Sequence, residues 1–479
     1  MVDLKKISNV YFIGIGGIGM SALARYFSLR GVTVSGYDKT ETNLSRQLEE
    51  EGIKIHYTDD INLLDKNAQL VVYTPAVPKE HREFNYYQQN NYQLLKRSDV
   101  LGNITEDSLN ICVAGTHGKT TISAMIAHIL RDSGFGCNAF LGGISVNYNN
   151  NFWSSENNVC VVEADEFDRS FLKLKPDVAI ISSMDADHLD IYGTEDAMQN
   201  AFVQFAAKVK PAGLLLSKYG LKKDKELSKE FLPKTTKVHL RYSLQNNAAD
   251  VYAANIKMKH GTYQFDVRSQ DWTLGNVVLN MGGMHNVENV VSAISVAKYL
   301  KIEPAKIISA VANFKGVKRR FEYIIPPSTH MRGGRDEVIF IDDYAHHPEE
   351  LKALITGAKT LFSGMRCIIV FQPHLFSRTR DFAAEFANIL DMADEVILLP
   401  IYPARELPIE GVSSELILKE MKKENKSIKT KDELLNYLRN SKAFFKNEDF
   451  GTLFITAGAG DIDTVVQPIK QIILNNPRI

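Results

Sequence analysis

Short, nearly continuous runs of β-branched and aromatic residues recur along the chain, separated by stretches with apolar residues three and four apart. The first kind reads as buried strand and the second as helix, and their alternation is the pattern of βαβ units around parallel sheets. The pattern restarts three times. The first section predicts strands at Asn9–Ile13, Val32–Tyr37, Ile53–Tyr57 and Gln69–Tyr73, with a helix from about Met20 to Leu29, and it closes in polar residues near 105–108. The second opens on the strand Asn110–Ala114. The helix that follows, Thr120 to Asp132, places Ile122, Met125, Ile126, Ile129 and Leu130 on one face and stops at Gly134. Strands at 158–162 and 177–181 come next, and residues 236–283 read as shorter alternating strands forming an antiparallel edge. The third section carries strands at Val338–Ile341, Cys367–Phe371, Glu395–Leu399 and Thr452–Thr456. The expected fold class is α/β with three domains over residues 1–107, 108–320 and 321–479.

Length agrees with that division, since 479 residues at roughly 100–200 per domain suggest about three. With 56 Lys+Arg against 57 Asp+Glu, the net charge of −1 argues against a nucleic-acid-binding face. No apolar run approaches the roughly 18 residues of a membrane span, and the start, MVDLKKISNV, lacks the apolar core of a signal peptide. The four cysteines are far apart and form no C-x-x-C pair, as expected of reduced thiols in a cytoplasmic protein.

Two glycine turns carry the first chemistry. Gly14-Ile-Gly16-Gly17-Ile-Gly19 fits G-x-G-x-x-G between a strand and a helix, with Asp38 ending the next strand where a ribose-binding acid is expected. Its glycines allow close approach of a diphosphate and the helix N-terminus offers free N–H groups. The motif leaves NAD, FAD and a UDP-sugar open; the plain alternative is a tight turn without ligand. Gly115-Thr116-His117-Gly118-Lys119-Thr120-Thr121 says more. It follows an apolar strand and opens a helix, so backbone N–H groups and the Lys119 ammonium can converge on the phosphates of ATP, with the Thr120 hydroxyl near Mg²⁺. The loop is shorter than a standard Walker A, which would need glycine where Val113 stands. Two nucleotide turns in one chain leave a simple dehydrogenase without a use for the second.

Acidic residues follow the next strands. Glu163-Ala-Asp165-Glu166 and Asp185-Ala-Asp187-His188-Leu-Asp190 both lie at predicted carboxyl ends, where doubly wound sheets bind ligands. A phosphate-bound Mg²⁺ needs hard oxygen ligands, which favours Glu163, with His188 beside it. In the third section, Asp342-Asp343-Tyr344-Ala345-His346-His347-Pro348 follows one strand, and Gln372-Pro-His374 through Arg378-Thr-Arg380 follows another. Paired arginines there suit a phosphate or carboxylate. Six of the twelve histidines, His128 among them, carry no motif.

These motifs, together with His285-Asn286-Val-Glu-Asn289, Arg319-Arg320-Phe321 and Gly458-Ala-Gly-Asp461, resemble in their order the Mur ligases, the ATP-dependent amino-acid ligases of peptidoglycan synthesis. The resemblance spans the chain and is nearest the alanine-adding branch. It implies an N-terminal Rossmann-like domain for UDP-N-acetylmuramate, a central P-loop-type ATPase domain with a mainly parallel sheet, and a C-terminal Rossmann-like domain that closes before chemistry. Carried over residue by residue, it puts Gly14, Gly16, Gly17, Gly19 and Asp38 at the UDP site. The loop from Gly115 through Thr116, His117, Gly118, Lys119 and Thr120 to Thr121 goes to the ATP phosphates. Thr120 and Glu163 go to Mg²⁺ (or Mn²⁺), and His188 to a second metal ion and the reacting groups. His285, Asn286 and Asn289 go to the adenine, Asp343 to the ribose, and Arg320 or its neighbour Arg319 to phosphate. Tyr344, His346, Arg378 and Arg380 surround L-alanine or the reacting carboxylate.

The chain also departs from the family. Later ligases of the pathway carry a carbamylated lysine after the Asp-His segment, whereas Phe202 and Val203 stand there and the next lysine is Lys208. Ala345 replaces a common glycine and Leu375-Phe376 a common Arg-Tyr. The expected partners are the small-molecule substrates alone, with no nucleic acid or membrane, and a monomer or weak homodimer. Two rivals remain: a murein-peptide ligase, disfavoured by Gly16-Gly17, and an NAD(P)-dependent oxidoreductase, which leaves the G-K-T loop unexplained.

Overall fold

In a computed structural model of the protein, all residues are described except 1–3, 188, 232–237, 260, 328–337, 405, 441–450 and 476–479. The predicted strands appear at nearly their predicted limits and sort into three sheets, because each apolar run is long enough to be buried on both faces. Val10–Ile13, Ile111–Ala114, Val178–Ile181, Leu214–Leu216, Ile339–Ile341 and Leu453–Ile455 are almost fully buried, as strands of a helix-covered parallel sheet must be.

Among the described residues, the first sheet has five strands in the order Lys54–His56, Thr33–Tyr37, Asn9–Ile13, Leu70–Tyr73, Leu94–Lys96, all parallel. Chain order reverses on either side of Asn9–Ile13, so the first glycine turn leaves the sheet at its switch point, where α/β sheets bind ligands. The second sheet runs Thr273–Leu279, Thr262–Ser269, Val251–Lys259, Val238–Ser243, Leu214–Lys218, Val178–Ile181, Leu109–Ala114, Val159–Glu163, Asn138–Ser145, Asn150–Trp153. The antiparallel edge expected over 236–283 begins later than predicted. Val238–Ser243 pairs parallel with Leu214–Lys218, and Val251 and Tyr252 continue that parallel register. The last two strands follow by connections too short for a parallel crossover, and at the opposite edge Asn138–Ser145 pairs antiparallel with Asn150–Trp153. The third sheet runs Glu322–Ile325, Val338–Asp343, Thr452–Ala457, Arg366–Phe371, Glu395–Leu398, Lys426–Ile428, parallel apart from its first strand.

The helix Lys119–Asp132 is more deeply placed than a one-faced pattern predicts, for every residue from Thr120 to Leu130 is buried. His128 survives there by hydrogen bonding, Nε2 to the Ala310 carbonyl at 2.9 Å and Nδ1 to the Tyr148 hydroxyl at 2.8 Å. In the helix Glu195–Ala207, Phe202 is fully buried against Phe171, and Lys208 stands exposed at its C-cap. The four cysteines are free and buried. Among the described residues no helix is long and apolar enough to cross a membrane.

The chain forms two compact units. One contains residues 1–254, 266–277 and 288–312, hence the first sheet and most of the second. The other contains 255–265, 278–287 and 313–479, hence the third sheet.

Candidate active site

In the first unit the turn after Asn9–Ile13 is held from below by backbone. Gly14, at φ +87°, and Ile15 both donate to the Tyr37 carbonyl, at 2.8 and 3.0 Å. Asp38 accepts from the Gly16 N–H at 2.8 Å, so its carboxylate braces the turn from within. A methyl on Gly16 would come 2.9 Å from Asp38 Oδ2, and one on Gly19 would come 2.9 Å from Arg97 Nη1. A side chain at either glycine would push the Asp38 carboxylate or the Arg97 guanidinium from its place.

The second turn is tighter. Gly115 sits at φ +135°, where a Cβ would come 2.2 Å from Ser182 Oγ, and Gly118, at φ +83°, caps the helix Lys119–Asp132. Ser182 and Ser183, just past the strand Val178–Ile181, hold the loop from the side. Ser182 Oγ donates to the His117 carbonyl, while Ser183 Oγ bonds Thr116 Oγ1 at 2.9 Å and accepts from the His117 N–H at 2.7 Å. Lys119 Nζ donates to the Gly115 carbonyl and to Glu166 Oε1, each at 2.7 Å. Thr120 Oγ1 donates to Glu163 Oε1 at 2.9 Å, and Glu163 Oε2 accepts from the Gly142 N–H at 2.9 Å. Asn289 lies beside the loop, its Oδ1 3.2 Å from where a Gly118 Cβ would be. Thr121 is buried behind it, and His117 is exposed, 3.7 Å from Asp185.

This arrangement suits a nucleoside triphosphate and Mg²⁺. Left-handed glycines open the loop, a cation is aimed across it, and Thr120 and Glu163 offer two hard oxygens side by side. Two protein oxygens are enough for Mg²⁺, which keeps water and phosphate oxygens as its other ligands. Among the described residues there is no group of three His, Cys, Asp or Glu able to hold a metal. His188, expected on the metal, lies outside the described residues. Glu166 is the main addition to the predicted set. Its side chain has no exposed surface, Oε2 has no hydrogen-bond partner, and burial raises its carboxyl above the ordinary value while Lys119 lowers it. The sequence signalled it only as the last acid of Glu-Ala-Asp-Glu; the paired serines after a strand were the missed cue.

In the second unit, Asp343 ends its strand and accepts from the N–H groups of Phe321 at 2.6 Å and Ala345 at 2.8 Å. Burial pushes its carboxyl up to about 6. Neighbouring Asp342, bonded by Thr456 Oγ1 at 2.6 Å, is pushed up to about 7 by burial. Arg319 is committed to structure: it donates to the Gly458 and Gly460 carbonyls, and its Nε lies 3.3 Å from Asp342 Oδ2. Arg320 is exposed. Asn286 is buried and donates to the Gly282 carbonyl at 2.6 Å, while His285 is exposed.

Tyr344, 44% exposed, and His346 pack edge to face with ring centres 5.3 Å apart, and His346 stands likewise 5.7 Å from His374. His346 Nδ1 lies 3.0 Å from the Tyr344 carbonyl and 3.3 Å from Glu350 Oε2. Both neighbours only accept, so Nδ1 carries the proton and Nε2 keeps its lone pair. Burial lowers the His346 imidazole below its ordinary value. Burial, with the charges of His346 and Arg378, lowers His374 to about 4. Arg378 Nη1 lies 3.5 Å from His374 Nδ1 and so joins this cluster. Arg380 instead pairs with its neighbour Asp381 at 2.7 Å and is exposed. His374 and Glu350 were not among the predicted site residues; His374 lies within the motif at 372–380, and Glu350 just past that at 342–348.

Known proteins share these features in the same order. Residues 9–108 match the Mur ligase family catalytic domain, 113–297 the Mur ligase middle domain, and 319–460 the Mur ligase glutamate ligase domain. The UDP-N-acetylmuramate–L-alanine ligase of Flavobacterium johnsoniae is 46% identical, covering 99% of this chain and 100% of its own. That of Porphyromonas gingivalis strain W83 is 44% identical over 97% and 99%. The solved UDP-N-acetylmuramate–alanine ligase of Thermotoga maritima superimposes with a TM-score of 0.78 at 25% identity, covering 97% and 98%. The murein peptide ligase of Psychrobacter arcticus, at 21% identity and a TM-score of 0.65, shares the fold. Matched over nearly its whole length, section by section, the chain belongs to the Mur ligase family.

Proposed function

We propose that this chain joins L-alanine to the lactyl carboxylate of UDP-N-acetylmuramate, converting ATP to ADP and phosphate, in peptidoglycan precursor synthesis. The observation that carries the reading is the full-length likeness, at 42–46% identity, to relatives of that one activity. The glycine loop supports it, since Lys119 opens the helix behind it bonded to Glu166 and Thr120 bonds Glu163.

A carboxylate is a poor electrophile, because amine attack would have to expel oxide. Transfer of the γ-phosphoryl group of ATP to a carboxylate oxygen makes that oxygen a phosphate leaving group. The alanine nitrogen, deprotonated, then attacks the acyl carbon, and the tetrahedral adduct collapses to the amide and phosphate. Lys119 leaves Glu166 to neutralise the transferring phosphoryl oxygens, work that is mainly positioning and electrostatics. Thr120 and Glu163 would hold Mg²⁺, which would supply shielding of the phosphate charge. The neutral His346, with Nε2 open, is the candidate to take the ammonium proton, and Arg378 pairs the amino-acid carboxylate. Asn289, Asn286, His285 and Asp343 serve the adenosine. Arg320, exposed beside Arg319, is the proposed phosphate contact. Residues 1–107, 108–320 and 321–479 divide the work as sugar-nucleotide, ATP and amino-acid domains.

The test is phosphate release with ATP, Mg²⁺ and UDP-N-acetylmuramate, comparing L-Ala, L-Ser, Gly and the L-Ala-containing tripeptide. L-Ala should support the fastest turnover. Preference for the tripeptide would move the chain to the murein-peptide ligases, and release independent of any amino acid would refute the ligase reading.

A further inference from the structure

The segment that follows the strand Val159–Glu163 faces two ways. Glu163 and Glu166 reach the ATP loop, through Thr120 and Lys119. The acids interleaved with them reach the first sheet's domain: Asp165 lies 3.4 Å from Arg97 Nη2, and Asp168 lies 3.0 Å from Lys96 Nζ. Lys96 and Arg97 begin the helix Arg97–Thr105, and the same junction continues with Asp99 and Lys173 at 3.1 Å.

Arg97 differs from the other cations there. Its guanidinium lies against the last glycine of the first turn: a Cβ on Gly19 would come 2.9 Å from Nη1, 3.1 Å from Cδ and 3.3 Å from Cζ. Its side chain is 21% exposed. Among the described residues its guanidinium finds one acceptor, the distant Asp165 oxygen. A guanidinium carries five N–H donors in a planar fork, so most of them lack a protein partner beside a turn shaped for a diphosphate.

We propose that Arg97 is a further residue of the sugar-nucleotide site, donating a forked pair of hydrogen bonds to a diphosphate oxygen held at Gly14–Gly19, with Asp165 orienting it. The inference rests on the proposed reading of that turn as the UDP-sugar site. Arginine suits the role because its fork matches phosphate geometry and stays charged. Asp165 is the positioning residue: it fixes one edge of the guanidinium and leaves the other to the ligand.

The experiment is calorimetric binding of UDP and UDP-N-acetylmuramate to the full chain. Arg97→Met should weaken both ligands at least tenfold, and Arg97→Lys should recover part of that loss. Asp165→Asn should weaken them a few-fold. Lys96→Met, which cuts the neighbouring and shorter ion pair of the same junction, should change them less than twofold. Wild-type affinity in Arg97→Met would overturn the inference, as would an equal loss in Lys96→Met, which would mark a loosened junction. If the wild-type chain bound neither ligand, the sugar-nucleotide reading of the turn would fall instead.

Discussion

Replacing Lys119 with Met removes a charge but keeps most of the side chain's length, so the consequence falls on Glu166. That carboxylate has no exposed surface and, among the described residues, no partner at Oε2, and the substitution takes away the Lys119 ammonium that pairs with it. Leaving a buried charge unpaired costs about 3–5 kcal/mol. Protonation offers an escape: neutralising a carboxyl with an ordinary value of 4.5 at pH 7 costs roughly 3 kcal/mol, at about 1.4 kcal/mol per unit. The cheaper route sets the ceiling, so Lys119→Met should lose up to about 3 kcal/mol at pH 7, less whatever burial already costs the wild-type pair. The sign of the pH dependence follows. A carboxyl whose folded value is raised leaves stability intact below about pH 4.5 and erodes it as pH rises, so the deficit should open between about pH 4.5 and 7. The assay is hydrogen exchange in the helix Lys119–Asp132 at about pH 5 and 7, because a chain of several domains has no single unfolding free energy. Lys119→Met/Glu166→Gln should regain most of the protection while ADP formation stays abolished. A deficit that did not vary with pH, or no recovery in the double variant, would refute the electrostatic account. Undiminished turnover in Lys119→Met would refute the ATP-loop assignment.

Three further outcomes follow from the geometry, and a fourth, at His188, from the sequence. Gly16→Ala puts a methyl 2.9 Å from Asp38 Oδ2 and breaks the brace on the Gly16 N–H; at about 1.4–2 kcal/mol for a charge-assisted hydrogen bond, KM for the sugar nucleotide should rise roughly tenfold or more with kcat little changed. Thr120→Val removes a proposed Mg²⁺ oxygen and should raise the Mg²⁺ concentration for half-maximal ADP formation while sparing sugar-nucleotide binding. The same titration on His188→Ala tests its metal role, and an unchanged Mg²⁺ dependence would withdraw it. Because burial lowers the His346 imidazole, its neutral form persists to lower pH. The acid limb of the kcat profile should therefore fall below the ordinary histidine value of about 6.5 and vanish in His346→Gln; a limb above 6.5 would count against His346.

What the sequence disclosed, it disclosed through local rules. The strand Asn9–Ile13 and the helix behind Lys119 appear where periodicity puts them, because a strand buried on both faces must be apolar throughout and a helix must repeat near 3.6 residues. Both phosphate turns were legible for the same reason: glycines at left-handed φ sit between a strand and a helix only where the backbone must bend sharply. The short strands Leu94–Lys96 and Lys426–Ile428 were not, since three residues carry no period to detect.

The pairings needed the fold. That Glu163 faces Thr120, Glu166 faces Lys119 and Asp165 faces Arg97 depends on side-chain directions within one irregular segment, and spacing along the chain does not encode them. Nor does spacing separate Arg319, spent on the Gly458 and Gly460 carbonyls, from Arg320, or Arg378 beside His374 from Arg380 beside Asp381. The sequence by itself determined which residue types lie at the carboxyl ends of the parallel strands, because that is a matter of local period and turn chemistry. Only the tertiary structure decided which of them meet, because hydrogen bonds and ion pairs act over about 3–4 Å in space between residues tens of positions apart in the chain.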